Sequence, residues 1–250
     1  LFGLKVGLWL VLPALLSNKP FILFLAMFSF VGVSLGMWFT LFFIFVDGYL
    51  GMGDKLAVLY IVGICISALT MNIWLMLAKR WGKKIAWSVA VLLMGLGTGS
   101  AGTLVPGEAG FVPLMMVNTL VVLGMAAYYI LMPSMLADIV DYGTWRTGVE
   151  LSGTYFSVFT LLGKVTIEVG GSLGLFIADA YGFDSSQNTH AADAVFGLRL
   201  AISWVPASMM LISLVMVALM PINTWRHSII RRKLDRRSSR SKDEEIGYKM

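Results

Sequence analysis

Charge is scarce in this chain: only 13% of its 250 residues are Asp, Glu, Lys or Arg, and there are two histidines and one cysteine. A typical water-soluble domain carries about twice that share of charge, so an ordinary soluble fold is excluded. Cys65 has no second cysteine to pair with, which rules out an intrachain disulfide, and its place inside an apolar run makes it a packing residue. His190 and His227 lie far apart, and no HExxH, paired-cysteine, nucleophile-elbow or P-loop pattern occurs. The sequence thus nominates no catalytic residue, no metal ligand and no organic cofactor, and an enzyme has little to rest on. The alternation of polar and apolar residues that a membrane β-barrel needs is missing as well.

What is present is apolar. Hydrophobic residues make up 58% of the chain, mean hydropathy is +0.82, and several runs exceed the roughly 20 residues that a helix needs to cross about 30 Å of hydrocarbon. The pattern predicts an all-α polytopic bundle of six transmembrane helices over 20–46, 56–77, 85–104, 111–137, 151–177 and 195–220. Gly-rich, charged or proline-bearing stretches at 47–54, 79–84, 106–110, 141–150 and 178–194 read as loops at the two surfaces. One surface collects Lys19, Lys79, Arg80, Lys83, Lys84, Arg146 and the basic tail; the other has Lys55 and Arg199 against Asp47, Asp54, Glu108, Asp179, Asp184 and Asp193. The positive-inside rule makes the first surface cytoplasmic. Both chain ends then lie inside the cell, in what is expected to be the cell (inner) membrane.

Three segments follow. Residues 1–19, apolar but broken by Lys5 and Pro13, suggest an interfacial helix joining two halves of a transporter. Residues 20–220 form the bundle, and 221–250 a basic cytoplasmic tail containing Arg231, Arg232, Lys233, Arg236 and Arg237. Beside a membrane span, such a tail serves topology and attraction to anionic lipid rather than nucleic acid. The net charge of +5 needs no other partner.

The residue that points to function is Lys164, near the centre of the apolar span LSGTYFSVFTLLGKVTIEVGGSLGLFIA. A charge at mid-bilayer costs at least about 2.5 kcal/mol and survives only with a partner or in a water-filled cavity. Glu168 lies four residues on, on the same helical face. Either the two neutralise each other so that the helix can insert, or Lys164 faces a central cavity and exchanges partners as a cation or proton binds. Ser157, Thr160 and Gly163 add polar and small positions around it, while Gly170, Gly171 and Gly174 suit close helix packing. Tyr128 and Tyr129, with Pro133 one turn on, offer an aromatic wall and a bend, or plain packing. At the end of the fourth span Asp138 and Asp141 share a face near a helix C-terminus, where they oppose the macrodipole unless cations compensate. Arg146 and the 79–84 stretch are the candidates, and the group reads as a charge relay that stabilises a gate.

The string Met135-Leu-Ala-Asp-Ile-Val-Asp-Tyr-Gly143, with Arg146-Thr-Gly148, Gly153-Thr-Tyr-Phe-Ser157 and Lys164, resembles the penultimate cytoplasmic loop and eleventh helix of the glycoside-pentoside-hexuronide:cation symporters of the major facilitator superfamily. Lys79-Arg-Trp-Gly-Lys-Lys84 is similar to that family's basic loop between helices eight and nine, and Asn18-Lys-Pro-Phe21 to the entry of its seventh helix. The resemblance implies the C-terminal six-helix half of a twelve-helix transporter that carries a sugar or glycoside with Na+ or H+. It places Lys164 and Thr160 in the cation and sugar site; Tyr129 and Glu168 are added as binding candidates from the reading of the residues above. It assigns Asp138, Asp141 and Tyr142, with Arg146, to a cytoplasmic gate. The implied partners are the solute, the coupling cation, the bilayer and an N-terminal six-helix half. Glu150 and Ser152 stand where many members have an arginine and then a glutamate, so the gate is wired differently here, and Glu168 is unusual at its position. A lysolipid or other amphiphile as solute, or a non-transporting scaffold, are the alternatives.

Overall fold

In a computed structural model, which describes residue 13 and residues 15–184 and 191–219, six helices are long and apolar enough to cross a membrane. They are α1 (Lys19–Tyr49), α2 (Gly53–Trp81), α3 (Lys83–Ala101), α4 (Phe111–Thr147), α5 (Ser152–Ala180) and α6 (Ala192–Leu219). The chain is an integral multi-pass membrane protein. The expected interfacial segment, most of which falls on residues 1–12 and 14, lies largely outside the described residues, as do His190, His227 and the basic tail.

Helix α1 is the axis. Asn18 caps it, its Oδ1 accepting the Phe21 amide at 3.2 Å, and Pro20 sits in the first turn, where its missing N–H leaves no extra orphan. The helix packs against α5 and α6, while α3 joins α4 and α6, and α2 lies on α4. Between lipid-facing helices there is little hydrophobic drive to associate, so close contact depends on small residues and interhelical hydrogen bonds. Both are present. A side chain on Gly36 would strike the Ile167 carbonyl of α5, and one on Gly170 would strike the Val33 carbonyl of α1. Gly32 lies against Thr166 and Gly171 against Thr40, so two glycine pairs at i, i+4 spacing, Gly32 with Gly36 and Gly170 with Gly174, face one another.

Serines fasten α6. Ser203 Oγ donates to the Gly99 carbonyl at 2.9 Å and accepts the Gly102 amide at 2.9 Å, Ser34 Oγ donates to the Pro206 carbonyl at 3.0 Å, and Ser213 Oγ to the Met27 carbonyl at 3.2 Å. Pro206 cannot donate one turn back, and the turn before it, Leu200–Trp204, is wound as a π-helix. Helix α2 is tied to α4 by Trp74 Nε1 on the Leu123 carbonyl (3.0 Å) and Asn118 Nδ2 on the Leu59 carbonyl (3.2 Å).

Two expected loops are shorter than the charge pattern suggested. The 79–84 stretch is helical except at Gly82, whose φ of +91° makes the turn. The 141–150 stretch is helical as far as Thr147, and Gly148, at φ +73°, ends α4 in the left-handed conformation. Hydropathy falls where a helix leaves lipid, but backbone hydrogen bonding continues until a residue breaks it. With 37 residues, α4 is about 55 Å long at 1.5 Å per residue and extends well beyond the hydrocarbon. Asp138 and Asp141 accordingly sit on continuous helix, six to nine residues before its end, rather than in its last turn.

Gly36→Leu or Gly170→Leu is expected to push α1 and α5 apart and to destabilise the bundle by about 1–3 kcal/mol or more, read as a lower thermal unfolding midpoint in detergent. Gly153→Ala, where an added Cβ meets nothing within 4 Å, leaves the midpoint unchanged or slightly raised.

Candidate functional site

Near the middle of the bundle α1, α4 and α5 form a pocket of about 250 Å³, lined among others by Phe28, Tyr128, Tyr129, Thr160, Gly163 and Lys164. Lys164 lies twelve residues into α5, about 18 Å along a helix that begins at the basic end. That is close to the middle of the 29-residue helix. Its orientation follows from the α1 crossing: Thr166, Gly170, Gly171 and Gly174 are buried against α1, so the exposed residues Ser157, Thr160, Lys164, Glu168 and Ser172 fall on the other face of α5. From Ser157 to Ser172 this polar stripe runs about 22 Å.

The opposite wall is aromatic. Phe28 stacks on Tyr128, with centroids 5.7 Å apart and planes 9° from parallel, and packs on Phe159 at 4.5 Å. Tyr129 stands edge-on to Tyr128 at 5.4 Å and is 61% exposed, so its ring is open to a solute. Pro133, also in the wall, cannot donate to the Tyr129 carbonyl, which leaves that oxygen without its usual helical donor. The pocket therefore offers an ammonium, a hydroxyl and an aromatic face within one lining.

Of the four residues expected to bind solute or cation, the structure brings Lys164, Thr160 and Tyr129 together. Glu168 lies one turn further along the stripe, outside the lining, and no ion pair joins it to Lys164. Mutual neutralisation of the two is not how they are arranged.

Tyr129 also borders a second cavity of about 440 Å³ between α1, α2 and α4, whose walls include Trp38, Phe42, Tyr60, Met71 and Asn118. Nothing in the residue pattern announces it, because aromatic residues inside an apolar run look the same whether they face lipid, core or cavity.

At the basic end Asp138 is paired. Lys83 Nζ lies 2.7 Å from Asp138 Oδ1 and donates to the Ser134 carbonyl at 2.9 Å; both side chains are largely buried, 29% and 15% exposed. Lys83, from the 79–84 stretch, is thus a compensating cation for Asp138, and Arg146 donates from Nη1 to the Ser17 carbonyl at 2.7 Å. Tyr142 packs on Trp145 at 6.1 Å. Asn18, besides capping α1, donates from Nδ2 to Tyr155 Oη at 3.0 Å and to the Ile139 carbonyl at 3.4 Å. Gly143 gives the tyrosine hydroxyl room. Asn18 and Tyr155 together join the starts of α1 and α5 to the far part of α4. The sequence marked Asn18 only as the first residue of the Asn18-Lys-Pro-Phe21 string at a helix entry, which carries no sign of these two bonds.

Comparison with known proteins agrees with this architecture. The model of the family described as MFS/sugar transport protein matches residues 4–224. A glucuronide carrier protein homolog of Escherichia coli is 31% identical over 101 residues, 40% of this chain and 22% of that protein. An isoprimeverose transporter of Lactiplantibacillus pentosus is 29% identical over 204 residues, 78% of this chain and 40% of the relative. An uncharacterized symporter of Synechocystis is 23% identical over 231 residues, 88% and 41% of the two. The chain spans less than half the length of these curated relatives. With six membrane-crossing helices and a family match over most of its length, the chain belongs to the MFS/sugar transport protein family.

Proposed function

We propose that this chain is the C-terminal six-helix half of a twelve-helix symporter that moves a sugar or glycoside with Na+ or H+ by alternating access. The observation that carries the reading is the position of Lys164: a mid-membrane ammonium, in a pocket with Thr160 and the open ring of Tyr129. Facing lipid, it would destabilise the inserted helix by at least about 2.5 kcal/mol. Facing a water-filled pathway, it is hydrated and free to attract a carboxylate, a solute oxygen or a displaced counter-ion. Glu168, further along the same stripe, supplies a second charge to that pathway.

Transporters built from repeats hold solute between two halves and rock one against the other. In this reading the polar face of α5 and the exposed face of α2 meet the N-terminal half, which contributes the carboxylates that coordinate the cation. The basic end is cytoplasmic by the positive-inside rule, in the cell (inner) membrane, with both chain ends inside. Asp138 with Lys83, Asp141, Tyr142 and Arg146 then form the inner gate, and the link of Asn18 to Tyr155 and Ile139 braces it. The apolar cavity beside Tyr129 supports a second reading within the same family, in which the solute is an amphiphile such as a lysolipid.

Uptake across a sugar panel, measured in vesicles under imposed sodium and proton gradients with the twelve-helix protein, tests the proposal. Gradient-driven uptake is expected for at least one sugar or glycoside, and Lys164→Ala is expected to reduce it at least about tenfold, equivalent to about 1.4 kcal/mol. Uptake unaffected by the substitution returns Lys164 to a structural role, and no sugar uptake under either gradient overturns the symport reading. Vesicles containing only these 250 residues are expected to take up nothing.

The gate makes a separate prediction. A double-mutant cycle of Lys83→Ala and Asp138→Ala, read on unfolding in detergent, is expected to give a coupling of about 1–2 kcal/mol, between exposed and fully buried pairs. A coupling near zero removes the ion pair from the bracing of the basic end.

A further inference from the structure

Glu168 lies outside the lining of the Lys164 pocket, yet it stands in the least favourable place for a carboxylate. Lys164 is twelve residues after the first residue of α5 and Glu168 twelve before its last, each about 18 Å from its own end of the helix. The two straddle Thr166, the middle residue of the span, with about 6 Å of rise between them. Every other described carboxylate falls in a connection, in the end turns of a helix or, like Asp138 and Asp141, in the part of α4 past its apolar run. An ionisable group inside a span marks an ion or solute pathway, and Glu168 is on the exposed stripe of α5 with Thr160, Lys164 and Ser172. Among the described residues it makes no hydrogen bond and no ion pair.

Few groups face its charge. Helix α1 has no titratable residue between Lys19 and Asp47. Helix α4 brings Tyr128 and Tyr129 to the pocket wall. Helix α6 brings Asp193 and Arg199 only to the far end of α5, where Tyr181 meets Phe196, and Arg199 is held on Tyr49 and the Leu104 carbonyl. The one opposite charge nearby is Lys164, at the i, i+4 spacing where such pairs meet. A metal ion at Glu168 would need several more oxygens, but it would stand one turn from an ammonium, and the exposed neighbours Val165 and Val169 are hydrocarbon. A proton needs a single carboxylate oxygen. Ionised, Glu168 draws the Lys164 ammonium away from Thr160 and Tyr129; protonated, it exerts no such pull. The structure has Lys164 in the pocket and no ion pair to Glu168, the arrangement that suits the protonated acid.

We propose that Glu168 carries the coupling proton, so that the driving ion is H+ and Lys164 is released to the solute only while Glu168 is protonated. The carboxylate takes a proton from water on the side away from the basic end and gives it up to water on the basic side once solute has left; only that O–H bond forms and breaks. Lys164 then returns to the ionised Glu168, and the empty site is reset. The inference rests on the reading of the Lys164 pocket as the solute site, and it moves the coupling carboxylate from the N-terminal half into this one.

The test is solute accumulation by the twelve-helix protein in vesicles, in sodium-free medium with the membrane potential held at zero. The probes are radiolabelled glucose, galactose, xylose, glucuronic acid and their methyl glycosides. An inside-alkaline gradient of one pH unit is expected to concentrate the transported solute severalfold, up to a limit of about tenfold at one proton per solute. Adding that solute to lightly buffered vesicles is expected to turn the external medium more alkaline. Glu168→Gln keeps the shape of the protonated acid but has no proton to release. It is expected to bring solute to equal concentrations on the two sides and to exchange internal for external solute, with neither concentration nor alkalinisation, and Glu168→Asp is expected to restore both. Concentration of solute by Glu168→Gln under the pH gradient places the proton elsewhere and overturns the assignment. Loss of exchange together with accumulation makes Glu168 a structural charge and also overturns it, as does wild-type accumulation that a sodium gradient drives without proton movement. Uptake of no solute by the wild type under either gradient overturns the symport reading itself, a failure distinct from the other three.

Discussion

Where α1 crosses α5, Gly36 lies on the Ile167 carbonyl and Gly170 on the Val33 carbonyl, so the two backbones touch with no side chain between them. In hydrocarbon, where water gives helices no reason to associate, such backbone contact is one of the few sources of specific attraction. It also fixes rotation. With Thr166 turned onto Gly32, the residues two positions to either side, Lys164 and Glu168, are carried to the opposite face of α5. The polar stripe, the pocket wall containing Thr160 and Lys164, and the free face that the proposal gives to a second half all follow from which side of α5 is glycine. A few methyl groups at this crossing would not merely loosen the bundle; they would rotate or displace the charged face.

Much of this was legible in the sequence, and what was legible has a common physical origin. Apolar run length reports directly on a slab of fixed thickness, so all six helices were readable. An isolated lysine in such a run violates the same constraint, which is why Lys164 stood out. Helix ends were harder. Asp138, Asp141 and Arg146 lie beyond the apolar part of α4, and hydropathy could not tell that the helix carries on to Thr147. Only Gly148, with its left-handed backbone, marks the stop, and a glycine in a polar stretch is equally at home in a loop. The partner of Asp138 depended on tertiary distance: Arg146 was nearer in sequence, but Lys83 is nearer in space. The Trp38, Phe42 and Tyr60 corner had no signature at all, since helical periodicity does not distinguish a cavity from a packed interface.

The two ends of the bundle are held by different means. At the basic end the ties gather around α4: Lys83 on Asp138 and the Ser134 carbonyl, and Asn18 on the Ile139 carbonyl and on Tyr155 of α5. At the other end Arg199 joins α6 to the end of α1 and the residues after α3, through Tyr49 Oη at 2.7 Å and the Leu104 carbonyl at 3.2 Å, with its guanidinium 5.6 Å from the Tyr49 ring centre. Its Nε is buried without a hydrogen-bond partner, and π-helical turns, Ile44–Tyr49 and Leu200–Trp204, lie on both sides of it. One end is fastened by an ion pair and a capping amide, the other by a guanidinium and the Ser203 hydroxyl beside irregular turns.

Helix α4 carries Tyr129, Pro133 and Asp138 within ten consecutive residues, about 13 Å of rise from the first to the last. The proline sits between the aromatic ring that two cavities share and the carboxylate that Lys83 holds. A proline inside a helix is a preferred point of bending. Because no loop or second element intervenes, the ring that lines both cavities and the carboxylate that Lys83 holds sit on opposite sides of one proline, which is itself part of the pocket wall.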